Sequence, residues 1–231
     1  IFFRRNPMPE SLNDGPAGLP EQSPEAIAYA VKRGKIMVSV IGLVQMLLGL
    51  GIAYATYIFG STIDYDQKMM IVIKMDAHWA YLSAWVFGYT LIFVNCYPMI
   101  HKSRIMQNNS GNLRANMYIY KVVGSGQTVV LDDSAENAGP YNRANRSMHH
   151  FTENMGHVAC CLAMVSYVFP VPAFVLTVLF AIGRVWHQIG YANGGYGKHA
   201  GGFALSTVAV ATLLGFCLLV AIIGFDATRN A

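Results

Sequence analysis

Three long segments without a charged residue constrain this chain more than any other feature. Ile36–Phe59, Ala77–Ile100 and Gly201–Phe225 contain no Asp, Glu, Lys or Arg. At about 1.5 Å of rise per helical residue, each segment is long enough to cross the roughly 30 Å hydrocarbon core of a bilayer. A chain of 231 residues is too short to enclose so many apolar helices in a soluble core. The segments therefore predict an integral membrane protein.

The charged residues are few, and the basic ones lie beside the apolar segments. They make up 12% of the chain, with a formal net charge of +4. Soluble domains carry about twice that share of charge. Lys and Arg next to membrane spans contact lipid head groups and set orientation, so the net charge does not indicate a nucleic-acid partner.

Two further predicted spans bring the total to five. The third span starts near Asn142 and runs to Phe169, and the fourth follows a turn at Pro170 and Pro172 and ends near Tyr191. The basic-rich connections, at 32–35, 102–146 and 198, alternate with connections poorer in basic residues. Five spans place every basic-rich connection on one side of the membrane, as the positive-inside rule expects.

The expected organisation is an all-α membrane bundle with an N-terminal addition. Residues 1–31 are rich in proline and predict an extended arm, and residues 32–76 form the additional transmembrane helix and its connection. Residues 77–231 form a four-helix domain that contains a polar loop at 102–141. A small β-hairpin is expected in that loop, around the glycines at 124–126.

Ionisable side chains inside the third and fourth spans are the candidate functional residues. A charged side chain in a membrane span costs at least a few kcal/mol, so each needs a structural or functional reason. Within each of these two spans the residues recur at offsets of three, four and seven positions, which places them on one face of that helix. The sets are Arg146, His149, His150, Glu153 and His157, and Arg184, His187, Gln188 and Tyr191.

The two faces are expected to meet in one cavity on the basic side of the membrane. The spans run in opposite directions from the proline turn, which brings Glu153 and Arg184 to a similar depth and predicts an ion pair between them. Arg146 and Tyr191 would lie nearer the mouth, level with Arg104. The alternative is that these polar side chains only hold the helices together.

Two segments resemble signature motifs of the MAPEG family, the membrane proteins of eicosanoid and glutathione metabolism. Residues 142–154, NRANRSMHHFTEN, are similar to the family pattern Arg-Ala-His-x-Asn-x-x-Glu. Residues 182–191, IGRVWHQIGY, are similar to its Gly-Arg-x-x-[Tyr/His]-x-x-x-Tyr. The resemblance covers about residues 77–226, so the arm and the first span lie outside the family's four-helix unit.

The resemblance implies a trimer that binds glutathione between neighbouring subunits. Glutathione would be a co-substrate, no metal is expected, and the other partners would be membrane lipids. The implied activity is glutathione transfer or peroxide reduction on hydrophobic or lipid-derived electrophiles. By position, the glutathione contacts would be Arg104, Arg146, His150, Glu153, Arg184, His187 and Tyr191.

Two departures from the family pattern bear on catalysis. The signature asparagine is replaced by His150, and no arginine lies between Arg184 and Arg229. Family transferases activate the thiol with an arginine about seven to nine residues after the tyrosine that corresponds to Tyr191. Lys198 and His199 occupy the interval here and are the candidate thiol activators, although lysine lacks the planar fork of arginine.

Two other classes of function remain open. A haem or quinone redox protein would use histidines in or beside the spans, because paired histidines can hold haem iron. A non-catalytic accessory subunit of a large respiratory or photosynthetic complex would explain the additional helix. The expected location is the endoplasmic reticulum or an organelle membrane, mitochondrial or plastid.

Overall fold

The described part of the chain forms a helical bundle with a small β-hairpin. A computed structural model describes residues 23–105, 118–124, 126, 128–133 and 138–229. Of Ser103 and Arg104 it describes only the backbone. The helices are α1 Pro24–Phe59, α2 Thr62–Lys74, α3 His78–Cys96, α4 Pro98–Ile105, α5 Ala138–Val168, α6 Pro170–Gly194 and α7 Ala200–Arg229, and the strands are β1 Tyr120–Val123 and β2 Thr128–Leu131.

In the part of the chain that the structure describes, four helices are long and apolar enough to cross a membrane, which confirms the integral membrane bundle. They are Pro24–Phe59, His78–Lys102, Pro170–Gly194 and Ala200–Arg229. The third predicted span corresponds to α5, whose 31 residues are also long enough to cross. Because one face of α5 carries ionisable residues, its composition is more polar than that of these four helices.

The N-terminal region departs from the prediction in two places. The first helix begins at Pro24, where Ser23 accepts a hydrogen bond from the backbone nitrogen of Ala26 at 3.2 Å. The last eight residues of the predicted arm are therefore helical, because serine at the N-cap and proline in the first turn favour a helix start. Residues 1–22 lie outside the described residues. The expected short connection after the first span is instead the helix α2.

The predicted hairpin is confirmed. β1 and β2 pair antiparallel, with Tyr120 opposite Leu131 and Val123 opposite Thr128. Gly124 and Gly126 take positive φ angles of 71° and 89° in the turn, a backbone conformation that glycine adopts without strain.

The core lies between α3, α5, α6 and α7. Three phenylalanine rings join three of these helices: Phe87 lies 6.2 Å from Phe151 and 6.0 Å from Phe180, and Phe151 lies 5.9 Å from Phe180. Around them the buried apolar residues form one cluster. This packing fixes the rotation of α5 and α6 and therefore the direction in which their polar residues point.

A second cluster gathers the ends of several helices at one end of the bundle. Tyr97 and Ile100 pack with Ala144, at the start of α5, and Ala192, at the end of α6. Val31 and Val38 of α1 pack against the same cluster. The helix ends next to the basic-rich connections therefore lie together, as the charge pattern predicted.

Glycines bring α6 and α7 into direct backbone contact beside the candidate site. A Cβ atom at Gly202 would press on the backbone nitrogen of His187 and would lie 2.6 Å from the carbonyl oxygen of Gly183. Small residues permit this close approach of helices in membranes.

We expect Gly202→Ala to lower the free energy of unfolding by about 1–3 kcal/mol, because the added methyl group must push α6 and α7 apart. Thermal unfolding in detergent measures the effect. Gly215→Ala is the matched control in the same helix, since no atom lies within 4 Å of the added Cβ there. Equal melting temperatures for the two variants would contradict the close packing.

Candidate functional site

Arg184 is the centre of the site. Its side chain belongs to a membrane-spanning helix and is only 3% exposed. One terminal nitrogen donates to Nδ1 of His150 at 3.1 Å, and the other donates to the carbonyl oxygen of Ser147 at 3.1 Å. The guanidinium carbon lies 5.1 Å from the centre of the Phe151 ring. Its Nε has no acceptor in the described part of the chain.

The expected ion pair between Glu153 and Arg184 is wrong. Glu153 pairs instead with Arg146 on its own helix, at 3.8 Å, and the two side chains are 58% and 56% exposed. His150 occupies the place beside Arg184 because it lies about 60° further round α5 than Glu153. Within the described residues, no carboxylate neutralises Arg184.

A hollow of about 240 Å³ opens beside Arg184, between α5, α6 and α7. One part of its wall is polar and the other is apolar. The polar lining includes His150, Asn154, His157, Arg184, Ser206 and Thr207. The apolar lining is Phe151, Val158, Phe180, Phe203 and Val210. A cation beside an apolar wall suits a ligand that has a polar or anionic group next to apolar atoms.

His187 links the hollow to the C-terminal end of α6. Its Nδ1 lies 2.9 Å from the hydroxyl of Ser147, and both side chains are buried. Its ring stacks on His150 at 5.8 Å and on Tyr191 at 5.9 Å. The predicted site residues His150, His187 and Tyr191 therefore form one continuous stack.

The two candidate thiol activators, Lys198 and His199, lie in different surroundings. The ring of His199 meets the rings of Tyr191 and His187 edge-on, with ring centres 4.9 and 5.1 Å away, so it borders the stack. Lys198 is exposed, and its aliphatic stem lies over Gly194, where an added Cβ would be 2.8 Å from the lysine Cβ. His199 is thus the better placed of the two residues.

Tyr118 joins the site from the segment that leads into the hairpin. Its hydroxyl lies 2.6 Å from Nδ1 of His149, and Arg146, Glu153 and Tyr191 are close enough to influence its ionisation. Burial raises the pKa of the Tyr118 phenol. The phenol therefore keeps its proton at neutral pH, and its hydroxyl shares a hydrogen bond with Nδ1 of His149.

Gln188 and Arg143 have structural roles. The Gln188 amide nitrogen donates to the carbonyl oxygen of Ala144 at 3.0 Å. Nε of Arg143 donates to the carbonyl oxygens of Tyr191 and Ala192, at 3.1 and 3.2 Å, which caps the end of α6. Gln188 therefore joins α6 to α5, which is the role that the alternative reading of these polar residues expects.

Sequence reasoning missed two partners in the site and could not place one predicted residue. Ser147 lies on the same helical face as Phe151 and Asn154, so extending the spacing rule along α5 would have found it. No periodicity marks Tyr118, because it precedes a strand. Arg104 lies in α4, and its side chain is outside the described part of the structure.

The ring geometry does not suit a haem held between His150 and His187. Their planes are only 24° apart and the rings stack on each other. Axial ligands must instead point a ring nitrogen at the iron from opposite sides.

Comparison with known proteins gives one result. No curated protein and no solved structure matches the chain. The model of the MAPEG family matches residues 104–219, about half of the 231 residues, and this stretch includes both motifs and every side chain that lines the hollow. The chain belongs to the MAPEG family.

Proposed function

We propose that this protein is a membrane-bound glutathione transferase or peroxidase that acts on hydrophobic or lipid-derived electrophiles. The observation that carries the proposal is Arg184. A guanidinium buried in a membrane span normally has an anionic partner or faces a water-filled cavity. No carboxylate neutralises Arg184 in the described chain, and it lines a hollow. A ligand with a carboxylate would supply the missing charge.

Glutathione suits the polar groups around the hollow. It carries two carboxylates and one ammonium group, which arginine and glutamate bind by charge-assisted hydrogen bonds. Arg184 would receive one carboxylate in the hollow. The exposed pair Arg146 and Glu153 would contact the other charged groups near the bundle surface, and Tyr191 would lie beside the peptide. Under this proposal glutathione is the co-substrate.

The thiol would be activated by His199. Thiol chemistry requires the thiolate, so a base or cation must be near the sulfur. The imidazole of His199 contacts the rings of Tyr191 and His187 edge-on, whereas the amine of Lys198 lies on an exposed stem. In this chain an imidazole would therefore take the role that arginine has in the family transferases.

The exposed Arg146–Glu153 pair favours a homotrimer. Both side chains are more than half exposed in a single subunit. A site completed by a neighbouring subunit would cover them, as the family assembly implies. The apolar surfaces of the spans would remain in contact with lipid.

We expect Arg184→Gln to weaken glutathione binding about 10- to 100-fold, because a charged hydrogen bond contributes about 1.5–3 kcal/mol. Isothermal titration of the detergent-solubilised protein measures the change. Arg33→Gln is the control, since it removes an exposed arginine from α1 and should leave the affinity within twofold. Equal affinities for both variants would place the tripeptide away from Arg184.

We expect His199→Gln to remove most of the thiolate signal of bound glutathione, whereas Lys198→Gln keeps most of it. The reason is that, of the two side chains, the imidazole is the one in contact with the ring of Tyr191. Ultraviolet difference absorbance of the thiolate, recorded at saturating glutathione, provides the measurement. The opposite ranking would assign thiol activation to Lys198, and binding without any thiolate in the unmodified protein would leave a pocket without catalysis.

A second candidate function is a non-catalytic accessory subunit of a large respiratory or photosynthetic complex. The additional helix α1 favours it, because the apolar stretch of α1 has no buried residues within this chain and could contact other subunits. Mild solubilisation from the native membrane distinguishes the two functions. A stoichiometric megadalton complex without glutathione binding would support the accessory role, and a free trimer that binds glutathione would support the enzyme.

A further inference from the structure

Both ends of α2 lie close to the membrane, because the helix connects two membrane spans. α1 ends at Phe59 and α3 begins at His78. The charge-free stretches next to these ends, 36–59 and 77–100, are each about 36 Å long as helices, only slightly more than the roughly 30 Å hydrocarbon core. Phe59 and His78 are therefore near the same surface of the hydrocarbon.

Tight turns at both ends of α2 keep the helix beside that surface. At its start, a Cβ atom on Gly60 would lie 2.7 Å from the ring of Tyr65. At its end, the backbone nitrogen of Ala77 donates to the carbonyl oxygen of Val72 at 2.9 Å, so α3 begins directly against α2. An upright helix of 13 residues would place its end about 20 Å from the surface. The helix therefore lies along the membrane surface.

The side chains of α2 divide into an apolar half and a polar half. Successive residues are about 100° apart around a helix. The half centred on Ile73 carries the apolar side chains Ile63, Tyr65, Met69, Met70, Val72 and Ile73. The opposite half carries Asp64, Gln67, Lys68 and Ile71. Lys74 lies at the border between the halves, from which a long basic side chain can reach water.

Contacts with α1 show which half of α2 faces the membrane. Asp66 is the charged residue of the apolar half, and its carboxylate accepts a hydrogen bond from the hydroxyl of Tyr57 at 2.8 Å. The ring of Tyr65 lies 6.4 Å from the ring of Tyr57. Because Tyr57 belongs to the last turn of a membrane span, the half centred on Ile73 faces that span and the lipid around it.

This apolar half is uncovered in the part of the chain that the structure describes. No side chain of α2 is buried, and Ile63, Met70 and Ile73 are 74%, 52% and 53% exposed. Apolar surface is stabilised when lipid or protein removes it from water. Since both ends of the helix lie at the bilayer surface, lipid is already within reach of this half.

We propose that α2 is an interfacial helix whose apolar half binds the boundary between phospholipid head groups and acyl chains. Such a helix buries its apolar face about 5–10 Å into that boundary. Residues 61–76 contain three aspartates and two lysines, so no excess of positive charge selects anionic lipid. The partner is therefore a zwitterionic bilayer surface, such as that of phosphatidylcholine.

The contact with lipid explains how the two ends of α1 are held. Val31 and Val38, in the first half of α1, pack against the bundle, whereas the apolar stretch of α1 has no buried residues within this chain. Packing fixes one end of α1, and α2 on the lipid surface fixes the other. Because α2 lies outside residues 104–219, the proposal does not depend on glutathione chemistry.

The test compares two isoleucines on opposite halves of α2. Ile71 and Ile73 are 59% and 53% exposed and about 160° apart around the helix. Spin labels are attached to Ile71→Cys and Ile73→Cys in the full chain, with the four native cysteines replaced by alanine. The protein is placed in phosphatidylcholine nanodiscs. Collisions of each label with oxygen, which concentrates in hydrocarbon, and with a water-soluble nickel chelate are then measured.

We expect the ratio of oxygen to nickel collisions to be at least about fivefold higher for Ile73→Cys than for Ile71→Cys, because only the former label lies in the acyl boundary. Equal access of nickel to both labels would mean that α2 stands off the bilayer. Shielding of the Ile73→Cys label from both reagents would mean that a protein partner or a second copy covers this half. Either result would overturn the proposal.

A second measurement keeps the native cysteines. Hydrogen exchange of the amides in 62–74 is followed in nanodiscs for Ile73→Asp and Ile71→Asp. A carboxylate in the apolar half draws the helix out of the boundary, so we expect Ile73→Asp to speed exchange at least about tenfold and Ile71→Asp less than about threefold. Similar rates in the two variants would show that α2 does not bind lipid through the half centred on Ile73.

Discussion

The buried guanidinium of Arg184 is the constraint on which the site depends. In water this group would be solvated on all sides, but in a membrane span its hydrogen bonds must come from the protein or from a ligand. The chain supplies a carbonyl oxygen and an imidazole nitrogen, and neither carries a negative charge. Because Arg184 has no anionic partner among the described residues, the hollow between the three helices is a candidate site for an anionic ligand.

The polar side chains of α5 point in three directions, because other helices cover only part of its surface. His150 and His157 line the hollow, His149 turns to Tyr118, and Arg146 and Glu153 pair on the exposed surface. The phenylalanine contacts of Phe151 with α3 and α6 set this rotation. Apolar packing therefore decides which polar side chains can share a ligand and which cannot.

The sequence was sufficient for the membrane class, the order of the long helices, the hairpin and the members of the histidine–tyrosine stack. All of these follow from charge-free length, turn residues and helical spacing. It was insufficient for the partner of Arg184, because Glu153 and His150 differ by only about 60° around α5. The helix α2 was missed for a related reason: its charges interrupt the apolar pattern, and none of its side chains is buried.

The two departures from the family motifs are connected through this guanidinium. An arginine in the interval that contains His199 would bring a second permanent cation towards the low-dielectric region around Arg184, where like charges repel strongly. His199 and His150 can instead be neutral and still donate or accept hydrogen bonds. The stack from His150 through His187 to Tyr191, with His199 edge-on at its end, thus carries polar groups without a permanent charge from the hollow to the end of α6. Under the proposed function, these imidazoles would take the place of the second arginine that the family pattern has near the thiol.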